Sequence, residues 1–175
     1  MGTDPQSSSP ELECPKRPED DNRTPGWVGT VPASNGLLQA MSTSITPSAL
    51  AVDDDPLILF DIQNILEDAG FRCHDADDGD AAIVLLGKHA DSVTLLFSDV
   101  EMPGSIDGFA LARHVAEHWP WIEIVITSGN IRPNSGDMPE KATFIAKPFS
   151  AQMVRDHLRR TLPDDKKPEP LRQPA

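Results

Sequence analysis

The stretch that decides the fold is Ala49-Leu50-Ala51-Val52-Asp53-Asp54-Asp55-Pro56. Four apolar residues stop at three carboxylates, and a proline follows. A short apolar run bounded this way reads as a buried strand. Asp55 suits a helix N-cap, and Pro56 suits the first helical position, where its missing N–H costs nothing. Leu57, Ile58, Ile62, Ile65, Leu66 and Ala69 continue as an apolar stripe at helical spacing, and Gly70 suits a C-terminal stop. The unit is strand, carboxylate loop, helix.

Working outward, the same grammar recurs. A short strand near 71–75 precedes Asp77-Asp78-Gly79-Asp80 and a helix through about Lys88, with Ala81, Ala82, Val84, Leu85 and Leu86 expected on its buried face. The nearly all-apolar run 93–97 reads as a strand buried on both sides and ends at Ser98-Asp99. A helix over 109–118 stops before Pro120, a strand over 122–126 ends at Thr127-Ser128-Gly129, and a strand over 143–146 ends at Lys147-Pro148 before a last helix over 151–162. Five alternations of strand and helix imply a doubly wound parallel sheet covered on both faces, because each return to a parallel strand needs a crossover.

In such sheets the ligand site lies outside the carboxyl ends of the strands. Those ends carry Asp53, Asp54 and Asp55, then Asp99, Thr127 and Lys147. Crowded carboxylates repel one another unless a hard cation sits among them, and Mg²⁺ takes such oxygens. A lysine and a hydroxyl beside them supply the charge and the hydrogen bond that a phosphoryl group requires.

Composition bounds the rest. Of 17 prolines, seven lie in 1–47 and four in 163–175, so both segments are expected to be disordered extensions flanking a folded domain over 48–162. Met41 offers an alternative start for a chain whose fold needs nothing before it. The net charge of −13, with no basic run beyond Arg159-Arg160, removes the main electrostatic term for nucleic-acid binding. No apolar run approaches the roughly 20 residues of a spanning helix, and the first 30 residues have no apolar core of a secretory signal, so no membrane association and a cytoplasmic location are expected. Cys14 and Cys73 share no metal or redox spacing and read as incidental. His114 and His118, four apart, read as a solvated pair, and Trp119 and Trp121 as packing around Pro120.

The motifs Ala51-Val52-Asp53-Asp54-Asp55-Pro56, Phe97-Ser98-Asp99-Val100-Glu101-Met102-Pro103, Ile126-Thr127-Ser128-Gly129 and Phe144-Ile145-Ala146-Lys147-Pro148-Phe149 stand in this order at successive strand ends. Over about 115 residues the chain thereby resembles the receiver domain of bacterial two-component response regulators, the CheY-like, flavodoxin-like fold with strand order 2-1-3-4-5. The resemblance implies a protein that is not an enzyme, with Asp99 as the residue phosphorylated from a phosphohistidine of a sensor histidine kinase or histidine phosphotransfer protein. It implies Mg²⁺ held by Asp53, Asp54, Asp99 and the backbone carbonyl of Glu101. It further implies Lys147 and Thr127 on the phosphoryl oxygens, Phe144 as the switch aromatic, and a cis bond before Pro148.

Two departures stand out. The loop from Asp99 to Asp107-Gly108 is one residue longer than the commonest form, and Pro133, Gly136 and Pro139 interrupt the segment where the family places its fourth helix, which is expected to be short or absent. With only a proline-rich tail after Leu162, the expectation is a stand-alone receiver acting through changed protein-protein binding, as a phosphorelay shuttle or as a kinase or phosphate-sink regulator. The rivals are a haloacid dehalogenase-type phosphatase with Asp53 as nucleophile, since Asp53 and Asp55 have its Asp-x-Asp spacing, and a receiver scaffold that does not switch.

Overall fold

The computed structural model describes residues 46–172. The expectations for 1–45, including Met41 and Cys14, and for 173–175 lie outside the described residues. Five strands, β1 (Ser48–Val52), β2 (Arg72–Ala76), β3 (Val93–Asp99), β4 (Glu123–Ser128) and β5 (Thr143–Ala146), form one parallel sheet in the order β2-β1-β3-β4-β5. The helices are α1 (Pro56–Asp68), α2 (Gly79–His89), α3 (Gly108–His118), α4 (Ala151–Thr161) and the short α5 (Glu169–Arg172). The doubly wound fold and its strand order are as expected.

Local chemistry sets the element ends. Asp55 caps α1 by accepting from the N–H groups of Leu57 and Ile58, with Pro56 at the first position. At its far end Gly70 adopts φ +98°, and the N–H groups of Gly70 and Phe71 close on the carbonyls of Glu67 and Leu66, the paired bonds of a Schellman stop. Asp78, Asp107 and Ser150 cap α2, α3 and α4 in the same side-chain-to-backbone manner.

Strand alternation divides the core in two. Leu50, Val52, Leu96, Ile124 and Ile126 face α2 and α3, while Ala49, Ala51, Leu95, Phe97 and Val125 face α1 and α4. Two residues expected in the helical stripes are not in the core: Leu57 is 76% exposed and Val84 60% exposed. Leu57 stands in the first turn of α1, and α2 buries Ala82 and Leu86 with Val84 turned away.

Two connections depart from the regular pattern. No helix spans β4 and β5. Pro133 and Pro139 cannot donate within a helix, and Gly136 sits at φ +95°. Side-chain bonds with the neighbouring connection hold this segment instead: Arg113 Nη1 of α3 donates to the Asp137 carbonyl at 2.7 Å, and Lys141 Nζ of the segment donates to the carbonyls of Pro120 and Ile122 at 2.8 and 2.7 Å. The tail beyond α4 corrects an expectation, because residues 163–172 are packed, not disordered. Leu171 is buried beside Leu162, Lys166 Nζ pairs with Glu123 Oε1 at 2.6 Å, and Pro168 and Pro170 lie against Gly70. Proline loses little freedom on ordering, so one buried leucine and one ion pair suffice to seat a segment whose composition reads as unfolded.

Candidate functional site

The carboxyl ends of β1, β3, β4 and β5 meet at one point. Asp53 directly follows β1 and is only 1% exposed; its Oδ1 accepts the N–H of Asp55, which fixes the turn into α1. Asp99 ends β3, also buried, and its Oδ2 accepts the N–H of Glu101 at 3.2 Å. Asp54 is exposed beside them, and ligand oxygens of Asp53, Asp54 and Asp99 all lie within 4.8 Å of one another. Among the described residues this is the one convergent group of three or more metal-ligating side chains.

Lys147 closes the site from β5. Its Nζ stands 2.7 Å from Asp53 Oδ2 and 3.0 Å from Asp99 Oδ1, and the Lys147-Pro148 bond before α4 is cis, as expected. The ammonium is directed more squarely at Asp53, and its contact with the buried Asp99 Oδ1 is the less well aligned of the two. Burial pushes the Asp99 carboxyl above its ordinary range; the hydrogen bond and charge of Lys147 pull it back only in part, and Asp53 adds repulsion. Burial acts on Lys147 in the opposite sense, but the bonds and charges of Asp53 and Asp99 outweigh it and hold the ammonium above its ordinary value. A pocket of three carboxylates answered by one ammonium fits a hard divalent cation, whose preferred ligands are carboxylate and carbonyl oxygens.

Thr127 pairs in register with Asp99 across the β3-β4 ladder. It is fully buried, with Oγ1 donating to the Ser98 carbonyl at 3.4 Å, a long bond that is easily exchanged. Phe144 is half-buried and packs on the core side that faces α2 and α3. The histidine pair is elsewhere, with His114 and His118 rings stacked 4.0 Å apart on α3.

Four features of the site rim were not anticipated. The side chain of Glu101 reaches the end of β4, accepting from Ser128 Oγ at 3.2 Å and from Asn130 Nδ2 at 3.2 Å. Asp80 accepts from both the N–H and the hydroxyl of Ser105, pinning the longer β3-α3 loop to the start of α2. Gly108 packs so closely on β3 that a Cβ there would collide with the Asp99 carbonyl oxygen and stand 2.8 Å from Val100 Cα. Finally, a cavity of about 760 Å³ opens between α1 and the Lys147-Pro148 turn, lined among others by Ile58, Asp61, Ile65, Lys147 and Phe149. A small residue directly after Asp107 was a signal for the third; the others depend on contacts between distant segments.

Comparison with known proteins places this geometry. Residues 49–159 match the response regulator receiver domain. The chain is 33% identical over 125 residues to the C4-dicarboxylate transport transcriptional regulatory protein DctD of Rhizobium meliloti (strain 1021), covering 67% of this chain and 25% of that protein. It is 35% identical over 109 residues to the nitrogen assimilation regulatory protein NtrX of Azorhizobium caulinodans, covering 60% and 24%. It thus spans about a quarter of the length of these curated relatives. Among solved structures, a response regulator receiver protein from Sinorhizobium medicae WSM419 superposes with a TM-score of 0.63 at 25% identity, covering 69% of this chain and 97% of that one. The receiver domain from the hybrid histidine kinase CckA superposes at 0.57 with 25% identity, covering 66% and 99%. With the family matched across most of the folded residues and the expected strand order in place, this chain belongs to the response regulator receiver family, whose domain accepts a phosphoryl group on an aspartate in two-component signalling.

Proposed function

We propose that Asp99 is the phosphoacceptor. The observation that carries this reading is Asp99 Oδ1, a buried carboxylate oxygen 3.0 Å from Lys147 Nζ at the mouth of the sheet. A carboxylate oxygen of Asp99 attacks the phosphorus of a partner's phosphohistidine; the P–O bond forms, the P–N bond breaks, and the imidazole leaves with the electron pair. Lys147 lies where it neutralises the transferred oxygens, and Thr127 exchanges its long bond to Ser98 for one to the phosphoryl group. Asp53, Asp54 and Asp99, with the Glu101 carbonyl, would hold Mg²⁺, which when bound offsets the negative charge of the phosphoryl oxygens.

The donor is a sensor histidine kinase or a histidine phosphotransfer protein. Leu57 and Phe60, 76% and 61% exposed, stand in the first two turns of α1, directly after the carboxylate loop. Apolar side chains left uncovered at the mouth of a charged site suit the helix that carries a donor histidine. The output is a changed affinity for a separate protein, since phosphorylation acts only through differential binding of two states.

Incubation with an acyl phosphate and Mg²⁺, read by intact mass, should add one phosphoryl group to the wild type and none to Asp99→Asn. Equal labelling of the variant overturns the assignment, and loss of label only in Asp53→Asn would favour the phosphatase chemistry. Mg²⁺ at ten times its Kd should stabilise the fold by about 1.4 kcal/mol. Asp54→Ala should abolish that increment, and identical melting of the wild type in Mg²⁺ and in chelator would contradict the metal site.

A further inference from the structure

Four of the five histidines stand in two stacked pairs that phosphoryl transfer does not use. His74 of β2 and His89 of α2 have ring centroids 5.2 Å apart; His114 and His118 of α3 have theirs 4.0 Å apart, with planes 19° from parallel. The second pair is built to receive a ligand. Residues at i and i+4 lie one above the other on a single helix face, so both rings leave α3 together. His118 Nδ1 lies 2.9 Å from the His114 carbonyl, which can only accept, so Nδ1 carries the proton. In the neutral ring that leaves Nε2 with a free lone pair. A backbone carbonyl on one ring nitrogen is how proteins orient an imidazole whose other nitrogen binds metal. His118 is also the last residue of α3, where the unpaired carbonyls of a helix end favour a cation.

We propose that His114 and His118 together bind one divalent transition-metal ion of the kind imidazole prefers, Zn²⁺ or Cu²⁺. The inference is independent of the chemistry at Asp99. Zinc bonds imidazole nitrogen at about 2.1 Å in tetrahedral geometry, which sets two such nitrogens about 3.4 Å apart. A small rotation of rings whose centroids are 4.0 Å apart meets that spacing. Among the described residues no third carboxylate, thiol or imidazole converges on the pair, and His118 is exposed, so water completes the coordination. Nitrogen donors separate this site from the carboxylate pocket at the strand ends, whose oxygens suit Mg²⁺. Trp119 stands 5.7 Å from the His114 ring and 6.1 Å from that of His118, close enough for its fluorescence to report the ion.

Calorimetric titration with Zn²⁺ in excess Mg²⁺ tests this in wild type, His114→Gln, His118→Gln and His89→Gln, with far-ultraviolet circular dichroism confirming that each chain is folded. Either substitution on α3 should weaken one Zn²⁺ site about a hundredfold, because a single imidazole loses the second, intramolecular bond. His89→Gln, which breaks the other pair, should bind as wild type does. Cu²⁺ should quench the tryptophan emission of wild type in a saturable step that both α3 variants lose. Equal Zn²⁺ affinity and stoichiometry in wild type and His118→Gln overturns the site, as does the absence of Zn²⁺ binding to wild type. Loss of binding in His89→Gln alone overturns it too and assigns the ion to His74 and His89.

Discussion

The connections β3-β4 and β4-β5 do the same topological task on the same face of the sheet, and they are built in opposite ways. The first is α3, capped by Asp107, with Leu111, Ala112 and Val115 fully buried against the strands. The second has no helix; Met138 and Ala142 rest partly buried on the core, and the rest of its hold comes from side-chain bonds: Arg113 and Lys141 on backbone carbonyls, and Glu101 on Ser128 and Asn130. A helix satisfies its own backbone and is fixed by its apolar face. A segment held by single polar bonds at its rim opens at low local cost. On the proposed chemistry, the segment easiest to displace is the one directly after Thr127, while α3 is held by its buried face.

The contrast is quantitative and can be broken in order of size. Gly108→Ala should be the most damaging change, above about 3 kcal/mol in chemical denaturation, because the new methyl meets β3 backbone and not a flexible side chain. Wild-type stability in that variant would mean that α3 is not seated as described. Next, Leu111→Ala should cost about 3 kcal/mol through the cavity it leaves, while Ile131→Ala, 41% exposed in the other connection, should stay within about 0.5 kcal/mol. Equal losses would erase the distinction between the two segments. Ser128→Ala removes the hydroxyl that accepts the N–H groups of Asn130 and Ile131. It should cost about 1 kcal/mol, the usual value of a lost cap, with the loss in local protection confined to the β4 exit.

The smallest effect is one of pH. His157 on α4 contacts Thr143 of β5 at 2.8 Å, and burial, assisted by the Arg160 charge, holds its imidazole below the ordinary value of 6.5. A depressed histidine stabilises the fold fully above its unfolded value, and that contribution is lost as pH falls through the folded value. Thermal stability should therefore decline below about pH 6.5 and less steeply in His157→Gln. Parallel pH profiles would remove His157 from the account of β5.

How much of this was legible in the sequence follows from the range of the interactions. Strand ends, the first cap and the sheet were readable because Asp55 acts within three residues of itself, and a buried strand such as Leu95-Leu96-Phe97 announces its two-sided environment. The missing helix was equally local, written in Pro133 and Pro139. Exposure of Leu57 and Val84 was not readable, since helical spacing defines a stripe but not how much of it a sheet of finite width can cover. The packed tail was hidden because composition reports the average tendency of 163–175, whereas its placement depends on Leu171 and Lys166 meeting residues as distant as Phe71 and Glu123. Asp99 and Lys147 were legible as strand-end residues; that Lys147 bonds Asp53 more directly than Asp99 required coordinates.

The central claim is that the irregular connection, not α3, answers events at Asp99. It is tested most directly by amide exchange over the two connections in one sample, before and after phosphorylation confirmed by mass. The account predicts faster exchange in residues 129–142 with residues 108–118 unchanged. Unchanged exchange in 129–142 on a fully phosphorylated chain, or equal changes in both connections, would contradict it.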